Sequence, residues 1–454
     1  MAEHVDVAII GTGVAAQTVA YPVQVAGRKV AIVDWRPYGG TCELRGCDPK
    51  RVLVGVETAL ASARRLEGHG IIAPSAHMNW HDLMRFKRSF TDGVSNSVHA
   101  GLAGSGIRTF TGHARFTSGN SLAISGEDNV ELEAEQIVIA AGAEPVPLRM
   151  QGSNLVITSE QFLNLEDLPE RIVFIGGGYI SFEFAHLAAE AGAHVTILHH
   201  SGRALKAFDS TLVDSLIASS RERDIDIRLN TSTTSIEQTG ASLALHTSTA
   251  DGEDTQLEAD LVVHGAGRAL DLQPLALERG GIAYSRGGIT VDETLRSTTN
   301  PAVFAAGDAA DTPAPRLTPV ARMQGNILAR NLLEGARESP DYAGIPTVVY
   351  TDPPLAAVGL TEEQAIAKSL AYDVHAADTS NWYSSRRLAL THTGYKVLTE
   401  RGSGRILGAH LLGNHAEEVI NLFALAIRAR LPASLLQSLP WSYPTASSDL
   451  TYLL

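Results

Sequence analysis

The stretch GGTCELRGCDPKR holds Cys42 and Cys47, the only two cysteines of the chain. Paired thiols can exchange a disulfide, bind a soft metal ion or fill a core. A structural zinc site needs about four ligands, and no further cysteine is there to supply them. Disulfide exchange needs a thiolate, which is favoured at a helix N-terminus and beside cations. Arg45, Lys50 and Arg51 bring positive charge into this stretch. It reads as a redox pair, with an inert core pair as the alternative. Asp48, directly after Cys47, opposes ionisation of a neighbouring thiol unless it turns to solvent or pairs with Arg45 or Arg51.

The elements before the cysteines say what they would work beside. Residues Val5 to Ile10 (VDVAII) predict a buried strand, and GTGVAA follows with Gly11, Gly13 and Ala16 at the third position. Glycines there permit a tight turn and close backbone approach, so the next helix can aim its free N–H groups at a pyrophosphate. A second strand, KVAIVD, ends at Asp34, where a carboxylate can hold a ribose hydroxyl. The cysteines come just after this strand, at the predicted start of a helix.

The scheme recurs further on. Strand RIVFI leads into GGGYIS with Gly176 and Gly178, a helix carries Glu183, and strand HVTIL follows. Two such units imply two dinucleotides, normally one flavin and one nicotinamide. The second unit ends in HHSGRALK instead of an acid, so His199, His200, Arg203 and Lys206 crowd the ribose position. Clustered cations attract a 2′-phosphate, which favours NADPH over NADH. The alternative is that these are solvated surface charges.

Composition bounds the rest. At 454 residues the chain exceeds the roughly 250–300 at which one core stops growing, so about three domains are expected. The formal charge is -14, from 36 basic and 50 acidic side chains. With no basic block, this argues against nucleic acid as a partner. No apolar run approaches the roughly 18 residues of a membrane span, and the N-terminus lacks the pattern of a signal peptide. Two cysteines do not make a secreted disulfide framework, so a cytoplasmic protein is expected.

The cysteine segment resembles the redox-disulfide motif of the pyridine nucleotide-disulfide oxidoreductases, the family of glutathione reductase, dihydrolipoamide dehydrogenase and mercuric ion reductase. The segments IVIAAGAEPVPL, LVVHGAGR, NPAVFAAGDAA, TVVYTDPPLAAVGLTEEQA and GRILGAHLLGNHAEEVINLFALAI resemble family segments in family order. The resemblance implies an α/β chain with two Rossmann-like dinucleotide-binding domains and a C-terminal α+β dimerisation domain. It places an FAD domain at 1–149, an NAD(P)H domain at 150–275, a return to the FAD domain at 276–340 and the dimerisation domain at 341–454.

It also implies site residues. Gly40, Thr41 and Gly142 would join Gly11, Gly13, Ala16 and Asp34 at FAD, with Asp308 on the ribityl chain. Gly267 would join Gly176 and Gly178 at NADPH, with Tyr179 covering the nicotinamide pocket. Glu183 would pair with Lys50 or Arg51. The implied protein is a homodimer in which electrons pass from NADPH through FAD to a Cys42–Cys47 disulfide and then to a small disulfide-type substrate. Cys47 would be the thiolate in contact with the flavin, and Cys42 the exchanging nucleophile.

The C-terminus departs from the family pattern. Where disulfide reductases have His-Pro-Thr followed by an acid, this chain has WSYPTASSD, with Tyr443 at the histidine position and Ser448 at the acid, one residue before Asp449. A phenol, with a reference pKa of about 10 against about 6.5 for imidazole, can donate a hydrogen bond, so Tyr443 is a candidate catalytic donor, but it is a poor proton shuttle at neutral pH. A metal ion or quinone as acceptor is therefore an alternative. The end, SSDLTYLL, lacks the cysteine pair with which mercuric reductases receive their metal. A flavin redox sensor or electron-delivery partner is a further alternative. Leu44 stands where the family motif has Asn. His410 and His415 are expected to be structural, in a strand and helix of the dimer interface, and Tyr443–Pro444 is expected to be cis.

Overall fold

The structure, a computed structural model, describes residues 2–72, 76–270, 272–335 and 337–454. The chain divides into two compact units, Met1–Lys50 with Lys87–Val146 and Arg268–Tyr342, and Arg51–Phe86 with Pro147–Gly267 and Ala343–Leu454.

The first unit is built on a sheet in which Glu3–Ile10 lies between Val30–Asp34 and Val130–Ile139, both parallel to it. Val303–Ala305 and Arg108–Ser118 extend the sheet in parallel on either side. Ser121–Gly126 adds an antiparallel link between Arg108–Ser118 and Val130–Ile139. Strands covered on both faces need near-continuous apolar runs, which VDVAII and VAIVD supply. Side chains alternate between faces. Val7, Ile9, Val30 and Ile32 pack with Ala16, Val19, Ala20 and Val23 of helix Val14–Val25. Ala8 and Ile10 face the opposite core with Phe110, Phe116 and Ile137.

The second unit contains another parallel sheet, in the order Leu261–His264, Arg171–Ile175, His194–Leu198 and Ile225–Arg228. Helix Tyr179–Glu190 is buried along most of its length, and Phe162 packs on Phe174 and Phe184 with ring centroids 5.7 and 4.5 Å away. Asp209 caps helix Ser210–Glu222 by accepting from Thr211 N at 3.1 Å. A three-stranded antiparallel sheet spans Thr231–Ala259. The C-terminal part is a five-stranded antiparallel sheet with helix Ala416–Arg428 against it. That helix buries Ala416, Val419, Ile420 and Phe423, the spacing of one apolar face.

One polar cluster lies inside the second unit. Arg223 holds the carboxylates of Glu57 and Glu190 at 2.8 and 2.7 Å and that of Asp352 at 3.4 Å. Arg65 pairs with Asp352, and Arg64 with Glu190 at 2.7 Å. Among the described residues no helix is long and apolar enough to cross a membrane.

Candidate active site

The first glycine turn is a cradle because side chains cannot enter it. Gly11 has φ +103°, and a Cβ there would lie 2.3 Å from the Ala140 carbonyl oxygen. Gly13 precedes helix Val14–Val25, whose N-terminus has no side-chain cap. Its first N–H groups thus lack an intrahelical acceptor, the arrangement that suits a pyrophosphate. Ala16 is fully buried in the helix. Asp34 ends its strand as expected, and both of its carboxylate oxygens already accept hydrogen bonds. Thr12 N and Oγ1 donate to Asp34 Oδ2 at 2.9 and 2.7 Å, and Arg36 N to Oδ1 at 3.0 Å. The residues of the cradle fit an FAD.

The cysteines occupy two helices instead of one turn. Cys42 and Thr41 lie inside the short helix Gly40–Arg45, and Cys47 opens helix Cys47–Arg65. Both thiols are free, with Cys42 half-buried and Cys47 exposed. Cys47 Sγ lies 3.6 Å from Thr318 Oγ1, and Cys42 Sγ donates to Asp48 Oδ1 at 3.8 Å. The Cys47 thiol is lowered to about 6, chiefly by its hydrogen bond with Cys42, then by Thr318 and the Lys50 charge. Cys42 is pushed up by that same interaction, by burial and by the charges of Cys47 and Asp48. The two sulfurs are thus unlike: one favours the thiolate and its partner the thiol.

Asp308 lines a cleft of about 100 Å³ with Gly307, Arg316 and Gln324. Burial raises its carboxyl, against the pull of Arg316 and Arg268. Gln324 Oε1 accepts from Gly307 N at 2.7 Å and so braces this turn. Gly142 stands in the same unit with φ +71° and open space beside it.

In the second cradle Gly176 has φ +118°, and a Cβ there would meet the Gly265 carbonyl oxygen at 2.3 Å. Gly178 precedes helix Tyr179–Glu190, again without a side-chain cap. Gly267 has φ +109° in the neighbouring turn. The four basic residues after strand His194–Leu198 separate into two kinds. His199 is buried; its Nδ1 accepts from Gly177 N at 3.1 Å, and its Nε2 lies 2.9 Å from Ser201 Oγ. Arg203 donates to Glu363 at 3.1 Å and to the Phe208 carbonyl at 2.8 Å. His200 and Lys206 are exposed.

Glu183 is 1% exposed, and its Oε1 accepts from Tyr350 N at 3.0 Å. The Arg51 guanidinium lies over the Tyr350 ring, 4.3 Å from its centroid, so one residue touches both. Tyr179 is hydrogen-bonded to Thr347 Oγ1 at 2.8 Å and packs edge-on against Phe208. At the C-terminus Tyr443–Pro444 is cis. Tyr443 is 78% exposed and borders a cleft of about 320 Å³ with Trp382, Tyr383, Arg387, Asp449 and Tyr452. Ser448 donates to the Thr445 carbonyl at 2.6 Å and serves as a local cap. His410 is buried and bonded to the Leu360 carbonyl at 3.1 Å, and His415 precedes helix Ala416–Arg428.

Three contributors escaped sequence reasoning. Thr12, between the two glycines of the first turn, is a variable position by motif, and only its hydroxyl hints at a bond to the strand-end acid. Thr318 and Gln324 lie in helix Thr318–Glu334, remote in sequence from what they hold, and carry no local signal.

The sequence model of the pyridine nucleotide-disulphide oxidoreductases matches residues 5–325, and that of the family's dimerisation domain matches residues 345–453. The chain belongs to this family. Glutathione reductase of Burkholderia cepacia is 30% identical over 453 residues, covering 99% of this chain and 98% of that protein. Mercuric reductase of Streptomyces lividans is 32% identical over 435 residues, covering 94% and 90%. Mycothione reductase of Mycobacterium tuberculosis is 31% identical over 447 residues, covering 95% and 94%. Among solved structures, the HOCl-induced flavoprotein disulfide reductase RclA from Escherichia coli superposes with a TM-score of 0.87 at 30% identity, over 99% of each chain. The chain is therefore an oxidoreductase, an FAD-dependent disulfide reductase that uses NAD(P)H and carries the family's dimerisation domain.

Proposed function

We propose that this chain acts as a homodimeric, NADPH-dependent reductase of small disulfides in a reducing cytoplasm. The observation that carries the reading is the inequality of the two sulfurs. Cys47 favours the thiolate under the influence of Cys42, Thr318 and Lys50, while Cys42 keeps its proton. Exchange needs one sulfur that meets substrate and a second that re-forms the bond; the family resemblance gives the first role to Cys42 and the second to Cys47, the thiolate held beside the flavin.

A bound FAD would supply the two-electron redox chemistry that links a nicotinamide hydride donor to the cysteine pair. Gly11, Gly13, Ala16, Gly40, Thr41 and Gly142 would admit its pyrophosphate and ring system, Asp34 its ribose, and Asp308 its ribityl chain. Gly176, Gly178 and Gly267 would admit the nicotinamide dinucleotide, with Tyr179 over its pocket. The preference for NADPH rests on His200 and Lys206, which are exposed on the loop that follows the ribose strand. Glu183, with Lys50 or Arg51, would fix charge beside the flavin.

The four-segment division at 149, 275 and 340 fits this reading. Support for a second copy comes from Tyr383, Leu425, Leu439, Tyr443 and Tyr452, all exposed in the C-terminal part. Tyr443 favours a second reading, in which the acceptor is a quinone or soft metal ion that needs no proton. A mercuric reductase is among the relatives, and RclA has been solved as a Cu(II) complex. Among the described residues no group of three or more His, Cys, Asp or Glu could hold a metal ion, so a metal would meet the thiols.

Anaerobic titration with NADPH, followed by mixing with oxidised glutathione, a quinone and mercuric ion, tests both. A long-wavelength absorbance band at two electrons, discharged rapidly by the disulfide, is the expected result. Discharge by quinone or mercuric ion alone would transfer the assignment to the second reading.

A further inference from the structure

An alkyl thiolate is a poor leaving group until it is protonated, and family disulfide reductases are implied to use an imidazole where this chain has Tyr443. A different proton carrier lies beside the redox pair. Asp48, in the first turn of helix Cys47–Arg65, places Oδ1 3.8 Å from Cys42 Sγ, and the thiol donates. Asp48 is exposed and Cys42 only half-buried, so both can reach a molecule arriving from solvent. A carboxylate in the first turn of a helix is favoured by the helix dipole. The other charges acting on this corner are Glu43, whose carboxyl is raised by burial and by Asp48, together with Lys50 and Arg322.

We propose that Asp48 is a catalytic residue, which takes the proton of Cys42 as that sulfur attacks a disulfide and delivers it to the departing thiolate. The proposal rests on the reading of Cys42 as the exchanging sulfur. In the reduced protein Cys42 is a thiol and Cys47 a thiolate. Cys42 sulfur attacks one sulfur of R–S–S–R. The substrate bond breaks, a mixed Cys42–S–S–R disulfide forms, and the proton passes through Asp48 to give RSH. The Cys47 thiolate then attacks the Cys42 sulfur, the Cys42–Cys47 disulfide forms, and a second RS⁻ departs and takes its proton from water. The protein pair loses two electrons and the two substrate sulfurs gain them.

Asp48→Asn separates this role from a purely electrostatic one, because the two predict opposite signs. Removing a carboxylate lowers the pKa of the neighbouring thiol, so alkylation of Cys42 by iodoacetamide, read in a Cys47→Ser background, should shift to lower pH by roughly 0.5–1 unit. Alkylation needs no proton for its leaving group. Exchange of the reduced holoenzyme with oxidised glutathione should instead slow about 10²-fold. It should also become steeply pH-dependent, rising by about tenfold per unit as water takes over the proton transfer. With an aromatic disulfide, dithiobis(nitrobenzoate), whose thiolate leaves without a proton, the rate should not fall. Asp48→Glu should restore part of the glutathione rate.

If Asp48→Asn slows both disulfides alike, the residue delivers no proton to the departing thiolate, and if it accelerates both along with alkylation, it is an electrostatic bystander. Either outcome overturns the proposal. If Cys42→Ser leaves consumption of oxidised glutathione intact, the failure lies in the underlying reading of Cys42.

Discussion

Gly40 meets Gly13 with no room for a side chain between them: a Cβ on Gly40 would lie 2.4 Å from the Gly13 Cα. The glycine of the redox segment is thereby locked to the glycine of the first phosphate cradle. Two motifs that read as separate signals in the sequence form one close backbone contact.

Gly40→Ala should therefore empty the flavin site. The new methyl meets backbone, which has no rotamer to yield, and Gly40 has φ +74°, where a side chain costs about 1–2 kcal/mol. Flavin recovered per chain after purification should drop at least about tenfold. Gly27→Ala carries a similar backbone strain at φ +86°, outside the cradle, and meets nothing within 4 Å, so it should retain most of its flavin. Equal retention by both variants would show that the contact does not matter.

The acidity of Cys47 gives a pH signature. With a thiol lowered to about 6, the thiolate persists above that pH and is lost as pH falls through it. The long-wavelength band of the NADPH-reduced enzyme should fade in a single-proton transition near pH 6. Thr318→Val should move the midpoint upward, and Cys42→Ala, whose band is read without reductant because no disulfide can form, should move it further, because the Cys42 interaction is the largest cause of the shift. A midpoint that stays fixed in both variants would remove these partners from the account.

Much of this site could be read in advance, for reasons particular to each part. VDVAII-GTG and RIVFI-GGG announce strand, turn and helix within a dozen residues because a glycine turn depends only on its own backbone. The boundaries Arg171–Ile175 and His194–Leu198 coincide with the apolar runs that predict them. The family relation was legible in the cysteine segment and in motif order. The roles of the four basic residues after Leu198 were not. His199 and Arg203 look like His200 and Lys206 in sequence, but Gly177, Glu363 and the Phe208 carbonyl claim the first pair. The split of the redox segment into two helices was hidden too, since a break at Gly46 depends on how the surrounding chain packs. Arg223 and its carboxylates lie far apart in the chain, and no local pattern could join them.

Nucleotide preference should follow the exposed basic residues. Lys206→Ala and His200→Ala remove charge or hydrogen-bond donors facing solvent and should lower kcat/KM for NADPH by about tenfold each, with little effect on NADH, since each charge-assisted bond to a phosphate is worth about 1.5 kcal/mol or more. Arg203→Ala should behave differently: it breaks the bonds to Glu363 and the Phe208 carbonyl, so both nucleotides should suffer. Steady-state kinetics with both reductants checks this. Equal losses for NADPH and NADH in the Lys206 variant would remove that residue from the 2′-phosphate site.

The buried cluster around Arg223 makes a prediction about stability. Burial raises the Glu57 carboxyl to about 7, against the pull of Arg223, whereas in the unfolded chain a glutamate titrates near about 4.3. A carboxyl raised on folding contributes stability that is complete below the unfolded value and is lost as pH rises through the folded one. Glu57→Gln removes that titration. The difference in stability between variant and wild type should thus move in favour of the variant by about 3 kcal/mol between roughly pH 4.5 and pH 8. Arg223→Met should act in the opposite sense, because it strands Glu57, and Glu190 and Asp352 keep only their bonds from Arg64 and Arg65. A loss of about 3–5 kcal/mol is expected. Thermal unfolding of the holoenzyme across that pH range tests both, and wild-type and Glu57→Gln curves that run parallel would show that Glu57 does not carry the buried proton.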